Sequence, residues 1–145
     1  MRIYIVIPAH NEANFIGETL ESLVNQTKLP EKIVVVDDNS SDDTFSVAQA
    51  FAKNYGFIQV VQNHSEAEHA PGSKVINAFY KGYYELDDQF DVICKFDADL
   101  IFPNNYLETI ARHFQSDPKI GMAGGFCSIQ KGTHWQTENL TGKDH

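Results

Sequence analysis

Residues 3–12 read IYIVIPAHNE. Ile3 to Ile7 is a continuous apolar run, and all but Tyr4 are β-branched. An apolar run without polar alternation is expected of a strand buried on both faces, as in a parallel sheet. The run stops at Pro8, and polar residues follow at once. In open α/β sheets ligands bind beyond the carboxyl ends of the strands, so PAHNE stands where a ligand would sit.

Working outward, the same alternation recurs. NEANFIGETLESLVNQT carries Phe15, Leu20, Leu23 and Val24 at helical spacing, with Asn11 or Asn14 expected to cap its start. KIVVV (residues 32–36) is a second buried strand. SSDDTFSVAQAFAKNYG follows as a helix, with Ser40 or Ser41 as N-cap, Asp42 and Asp43 at the positive end of its dipole, and Gly56 as its stop. FIQVV (57–61) is a third strand, and QNHSEAEHAPGS reads as a loop.

KVINAFYKGYYEL predicts a third helix with Val75, Ala78, Phe79, Tyr83 and Leu86 inward. FDVICKF (90–96) is a fourth strand. Pro103 suits the first turn of a fourth helix, whose inward stripe is Leu107, Ile110, Ala111 and Phe114. KIGMAGGFCSI (119–129) is a fifth strand, loosened by its glycines. The expected fold is α/β, a mainly parallel, doubly wound, Rossmann-like sheet with helices on both faces, ending after about the fifth strand. No repeat, linker or low-complexity segment interrupts it, and 145 residues fit one domain.

The polar clusters sort by that expected sheet. PAHNE, DDNSSD, QNHSE and DAD follow strands one to four and fall on one edge. TKLPE, KNYG and LDDQ fall on the other and read as ordinary solvated turns.

The bulk numbers bound the partners. The 42% hydrophobic content is globular. A formal net charge of -9, from 20 acidic and 11 basic residues, argues against a nucleic-acid partner. It still permits an anionic small ligand if a metal supplies the positive charge. No apolar run approaches a membrane span, and the N-terminus turns polar too soon for a signal peptide. Cys94 and Cys127 lie in apolar runs without CxxC spacing, and both are expected to be buried core thiols in a reducing compartment. The expected location is cytoplasmic, or the inner face of the membrane for a longer protein.

Each cluster has a functional and a plain reading. In FDADL, Asp97 and Asp99 sit across one turn at the exit of a buried strand. They either hold a divalent cation, which wants oxygen ligands, or form a solvated acidic turn. Asp38 closes the second strand and could accept a base N–H or a ribose hydroxyl, the reading preferred here over helix capping. Pro8 and Ala9 bend the chain so that backbone groups could meet a flat base. Glu12 in the following helical turn is, taken alone, explained by the helix dipole. The glycine-containing approach APGSK, with Lys74, could meet a phosphate at a helix N-terminus. His64 and His69 lack metal spacing, and the His134–Trp135 pair reads as surface more than as a sugar-stacking site.

Taken together, VIPAHNE, VVVDDNSSDDT, the Asn and Ala of GSKVINAF, and FDADL resemble family 2 glycosyltransferases, the inverting group with the GT-A fold. The match runs from about Ile3 to Cys127 in the family's order. The resemblance implies a nucleotide-diphospho-sugar donor (a UDP- or GDP-sugar) and an acceptor hydroxyl, on a glycan or a lipid-linked sugar. Pro8, Ala9 and His10 would flank the base, Asp38 would meet it with Glu12 nearby, and Lys74 would approach the phosphates. Asp97 and Asp99 would hold Mn²⁺ or Mg²⁺ on the ribose-diphosphate, and the metal would stabilise the leaving group.

Two features depart from the family. The basic residue often found just after the glycine is Ser73 here, with Lys74 one place later. The glutamine of the polyprenol-phosphate subgroup is Ile101. Residues 1–145 are expected to form the donor-binding portion. The acceptor half and the catalytic base are expected beyond His145, since Glu138 and Asp144 lack the family setting. Rival readings are a phospho-receiver module, a nucleotidyltransferase and a non-catalytic nucleotide-binding fragment. The strand-helix unit before the acidic pair opposes the first, and the lack of a glycine-rich basic loop after strand one opposes the second.

Overall fold

The computed structural model describes residues 1–64, 71–117, 122–123 and 127–129. The elements run β1 (Ile3–Ala9), α1 (Ile16–Val24), β2 (Lys32–Asp38), α2 (Thr44–Asn54), β3 (Ile58–Asn63), α3 (Pro71–Tyr83), β4 (Val92–Lys95), α4 (Tyr106–Ser116), β5 (Met122–Ala123) and β6 (Cys127–Ile129). They form one sheet in the order β3-β2-β1-β4-β6-β5. β1, β2, β3 and β4 are mutually parallel, and β6 pairs antiparallel with both β4 and β5.

β1 is central and its side chains split between two cores. Ile3, Ile5, Ile7 and Ala9 pack with residues of α1, α2 and α4. Tyr4 and Val6 face the other way, against Ala78 and Phe79 of α3. An unbroken apolar run is what this two-sided burial requires, since no position along the strand meets water. α4 buries Leu107, Ile110, Ala111 and Phe114, the expected stripe, and the larger side chains contribute about 2 kcal/mol each. α3 lies so close to the sheet that a Cβ at Gly82 would come within 2.7 Å of methyls of both Val6 and Val36. Only glycine fits there without moving the helix.

Several expectations are corrected. Phe15 is 51% exposed, and Ile16 and Thr19 take the inward positions with Leu20 and Leu23. Neither Asn11 nor Asn14 caps α1, and neither Ser40 nor Ser41 caps α2. The residues before those helices, Phe15 and Asp43, make no side-chain cap bond. α2 stops at Asn54 because Tyr55 is already extended, one residue before Gly56. α3 begins at Pro71, inside the segment read as a loop, where a proline is preorganised for a first turn. Val75 on α3 is 43% exposed and not inward. Pro103 precedes α4, with its carbonyl accepting from the Tyr106 N–H at 3.1 Å.

The fifth strand is two short strands, and β6 folds back beside β4. That return places Cys127 directly opposite Cys94, with Cα atoms 4.0 Å apart, and the two are joined in a disulfide. The expectation of two separate core thiols is therefore wrong. Periodicity along each run could not show that a strand 33 residues on would turn back into register. The cysteines accordingly give no support for a reducing compartment.

Candidate functional site

Parallel pairing brings the ends of β1, β2, β3 and β4 to one edge, where the register sets Ala9 beside Asp37 and Asp38 beside Asn63. The segments after β1 and β2 are tied to each other more than to their own helices. His10 Nδ1 lies 2.7 Å from the Asp38 carbonyl. A carbonyl only accepts, so Nδ1 carries the proton. The Asn11 amide nitrogen lies 3.3 Å from the other ring nitrogen, and Asn11 Oδ1 accepts from the Ser41 N–H at 2.8 Å. The Asn11 N–H donates to Ser40 Oγ at 2.9 Å. Asn11 and Asn39 have φ of 53° and 59°, the left-handed region that asparagine tolerates.

The same stitching feeds the start of α1. The Glu12 N–H donates to Thr44 Oγ1 at 2.8 Å, and the Ala13 N–H to Asp42 Oδ2 at 3.2 Å. Thr44 also donates to Asp42 through its hydroxyl and its N–H. These bonds, that of the Thr44 side chain first, hold the Asp42 carboxyl below its ordinary range. Donors at the mouth of α1 are thus met by side chains from 29 or more residues on, which local capping rules do not consider.

Asp37 and Asp38 are both buried, at 3% and 6% exposure. Asp37 Oδ1 accepts from the Ser40 N–H at 3.3 Å, and Asp38 Oδ1 accepts from Asn63 Nδ2 at 3.1 Å. Asn63 was passed over in sequence, within QNHSE. The signal that could have found it is its place at the last position of β3, opposite Asp38.

The Asp97–Asp99 turn follows β4 by one residue. Both aspartates are exposed, and the Ala98 between them is buried. Lys95 Nζ approaches Asp97 Oδ1 at 3.8 Å. α1 and a residue just past its C-terminal end hold the turn from behind, through Thr19 and Ser22 on the helix and Gln26 beyond it. Thr19 Oγ1 donates to the Ala98 carbonyl at 2.8 Å, and the Phe102 N–H donates to Ser22 Oγ at 3.1 Å. Gln26 donates to the Pro103 carbonyl and accepts from the Leu107 N–H. Phe96, Phe102 and Tyr106 pack behind it, with the Phe96 and Phe102 centroids 4.4 Å apart. Thr19 and Gln26 are buried, and no apolar pattern signals them.

Glu12 completes the arrangement. Its Oε2 is buried and has no hydrogen-bond partner among the described residues. Burial pushes its carboxyl above the ordinary range. The charges of Asp99, Asp42 and Asp97 add to that, and His10 partly offsets them. The aspartates that raise it come from the segments after β4 and β2, a coupling that the helix-dipole reading leaves out. Pro8 and Ala9 close β1 at this edge. Lys74 is half-buried near the start of α3. His64 is exposed, and His69, His134, Trp135, Glu138 and Asp144 lie outside the described residues.

Among the described residues no cluster of three or more His, Cys, Asp or Glu side chains is placed to hold a metal. A cation here would have the Asp97 and Asp99 carboxylates and would draw its remaining oxygens from a ligand and water. The donor set is all oxygen, which suits Mg²⁺ or Mn²⁺. The unpartnered Glu12 oxygen, in a carboxyl that the charges of Asp99 and Asp97 help to raise, is a second sign of acid short of partners at this edge, so the residues fit such a group.

The family model for glycosyl transferase family 2 matches residues 4–142. The chain belongs to glycosyl transferase family 2. A probable glycosyltransferase of Bacillus subtilis, YdaM, is 37% identical over 100 residues, covering 68% of this chain and 23% of that protein. Among solved structures, residues 1–349 of S. aureus TarS superpose with a TM-score of 0.66 at 22% identity, over 80% of this chain and 33% of that one. TarS has also been solved with UDP and with UDP-GlcNAc. The Pyrobaculum calidifontis mannosyltransferase PcManGT, in complex with GDP-Man and Mn²⁺, gives a TM-score of 0.63 at 23% identity, over 83% and 34%. These likenesses establish the GT-A type of fold. The chain spans only part of the length of such relatives, 23% of YdaM and 14% of a Bacillus spizizenii poly(ribitol-phosphate) beta-glucosyltransferase.

Proposed function

We propose that this chain is the donor-binding portion of an enzyme that transfers a sugar, with inversion, from a nucleotide-diphospho-sugar to an acceptor hydroxyl. The observation that carries the reading is acid short of partners at one sheet edge: the orphaned, buried Glu12 oxygen, in a carboxyl held above its ordinary range by burial and by the charges of Asp99, Asp42 and Asp97. Among the described residues the cationic contact to these acids is that of Lys95 with Asp97 at 3.8 Å, and His10 partly offsets the charge on Glu12. A divalent cation arriving with a diphosphate supplies further positive charge. Family membership, and neighbours solved with UDP-GlcNAc or with GDP-Man and Mn²⁺, support the same reading.

In this reading Asp97 and Asp99 hold Mn²⁺ or Mg²⁺, which when bound neutralises charge on the leaving nucleoside diphosphate. Thr19 fixes the Ala98 carbonyl and so the angle between the two carboxylates. Pro8, Ala9 and His10 form one wall for the base, with the His10 ring held by the Asp38 carbonyl. Asp38 accepts an N–H of the base, and Lys74 approaches the phosphates. The relatives are named as glycosyltransferases that include a poly(ribitol-phosphate) beta-glucosyltransferase and poly-beta-1,6-N-acetyl-D-glucosamine synthases. A cell-surface polymer is accordingly the proposed class of acceptor, with transfer on the cytoplasmic side.

Calorimetry with uridine and guanosine diphosphates, in Mn²⁺ and in chelator, tests the reading. The expected result is binding at least about tenfold tighter with metal, a difference of 1.4 kcal/mol. Equal affinity in chelator would remove the metal from the site.

A further inference from the structure

Asp38 and Asn63 end neighbouring strands in direct register. Asn63 Nδ2 donates to Asp38 Oδ1 at 3.1 Å. A carboxylate only accepts, so the orientation of the Asn63 amide follows from its partner. From the other side, His10 fixes the backbone carbonyl of Asp38 through Nδ1–H at 2.7 Å. Asp38 is 6% exposed, so its carboxylate has little freedom to turn. One of its oxygens is engaged by the amide, and Oδ2 is left to meet a ligand.

We propose that Asn63 sets the base preference of the donor site, favouring a uridine diphosphate over a guanosine diphosphate. The inference rests on the donor-site reading above. Uracil presents a single N–H between two carbonyl oxygens. Guanine presents two adjacent N–H donors, at N1 and N2, which match a carboxylate whose oxygens are both free. At Asp38 the second guanine donor competes with the Asn63 amide for Oδ1. The uracil N–H needs only Oδ2. The amide also keeps a second N–H, the complement of a uracil carbonyl. A site whose polar groups are all met by one base discriminates against a base that leaves some unmet.

The test is a titration of the wild-type chain and of Asn63→Leu with UDP and with GDP, both in Mn²⁺. Leucine has the same branched heavy-atom shape as asparagine, is somewhat bulkier, and cannot donate. The wild-type chain is expected to bind UDP about tenfold or more tightly than GDP, the scale of one well-placed base contact. In Asn63→Leu the UDP affinity falls, the GDP affinity holds or rises, and the two come within about threefold. A variant that weakens both nucleotides equally, with the ratio kept, gives Asn63 a structural role only and overturns the proposal. So does a wild-type chain that binds the two equally or prefers GDP, a result that needs no variant to fold. Absence of Mn²⁺-dependent binding of either nucleotide is a different failure, because it sinks the donor-site reading itself.

Discussion

The two edges of the sheet carry the same kinds of residue and treat them in opposite ways. At the edge where β1 and β2 begin, Asp87 accepts from the Tyr4 hydroxyl, from Lys32 Nζ at 2.7 Å and from the Gln89 N–H at 2.9 Å. The Lys32 bond first, then Tyr4, lowers its carboxyl to about 2. Lys32 also lies over the Tyr4 ring, 5.3 Å from its centroid. The LDDQ segment is therefore more than a solvated turn: it locks the start of β1, where Tyr4 is buried, to the start of β2. At the opposite edge Glu12 is pushed the other way, by burial first and then by the charges of Asp99, Asp42 and Asp97, and its buried Oε2 has no partner among the described residues. An acid that the fold uses for itself is surrounded by donors. An acid kept for a ligand is left short of them, and the fold carries the cost.

The largest expected effect is at the Asp97–Asp99 turn. Asp99→Asn is expected to lower Mn²⁺-dependent UDP affinity by about a hundredfold or more, since losing even an outer-shell partner of a metal ligand costs about 10- to 100-fold. Its apo stability should stay within about 0.5 kcal/mol of wild type, because the side chain is exposed. Urea unfolding in chelator and calorimetry in Mn²⁺ read the two separately. A variant destabilised in chelator with its metal response intact would make this edge like the other one.

Thr19→Val comes next. It leaves the Ala98 carbonyl without its buried partner, a loss of about 1 to 3 kcal/mol in urea unfolding. Mn²⁺ affinity should fall with it, and Thr19→Ser, which keeps the hydroxyl, should recover most of that affinity. If valine lowers stability and leaves Mn²⁺ affinity unchanged, the α1 contact supports the fold without aiming the aspartates.

The smallest effects sharpen the contrast by pH. Asp87 is depressed when folded, so its contribution is present above the unfolded value of 3.8 and is lost as pH falls toward about 2. Asp87→Asn should flatten the stability profile in that window and cost at most about 1 kcal/mol at pH 7, since the pair is half-exposed. Glu12 is raised, so its contribution is present below 4.5 and is lost as pH rises through its folded value. Glu12→Gln should leave the apo chain as stable as wild type in acid and slightly more stable at pH 7. Matching profiles for the two variants would mean the edges do not differ electrostatically.

Much of the frame was legible because its signals are local. The runs at Ile3–Ile7 and Ile33–Val36 name buried strands by composition alone, and the α4 stripe is read directly from its spacing. The sorting of PAHNE, DDNSSD and DAD to one edge follows once those strands are taken as parallel. What stayed hidden shares one property, a partner distant in sequence. Thr19 on α1 and Gln26 just beyond it read as unremarkable polar positions until the segment after β4 comes to lie against them. Asn11 reads as a helix cap until the β2 loop supplies Ser40 and Ser41 for it to bond. The caps were misplaced for the same reason: short polar side chains bond whatever backbone is near, and nearness here is tertiary.

By itself the sequence determined the layered α/β class, the order of strands and helices, and the membership of Asp38, Asp97 and Asp99 in one polar edge. Hydrophobic period and strand exits are properties of a few consecutive residues, so they survive without coordinates. Only the tertiary structure decided that β6 returns antiparallel and joins Cys127 to Cys94, that Asn63 holds one oxygen of Asp38, and that one oxygen of Glu12 is buried without a partner among the described residues. Each is a matter of which side chain ends up within about 3 Å of which, and hydrogen bonds and desolvation act only at that range.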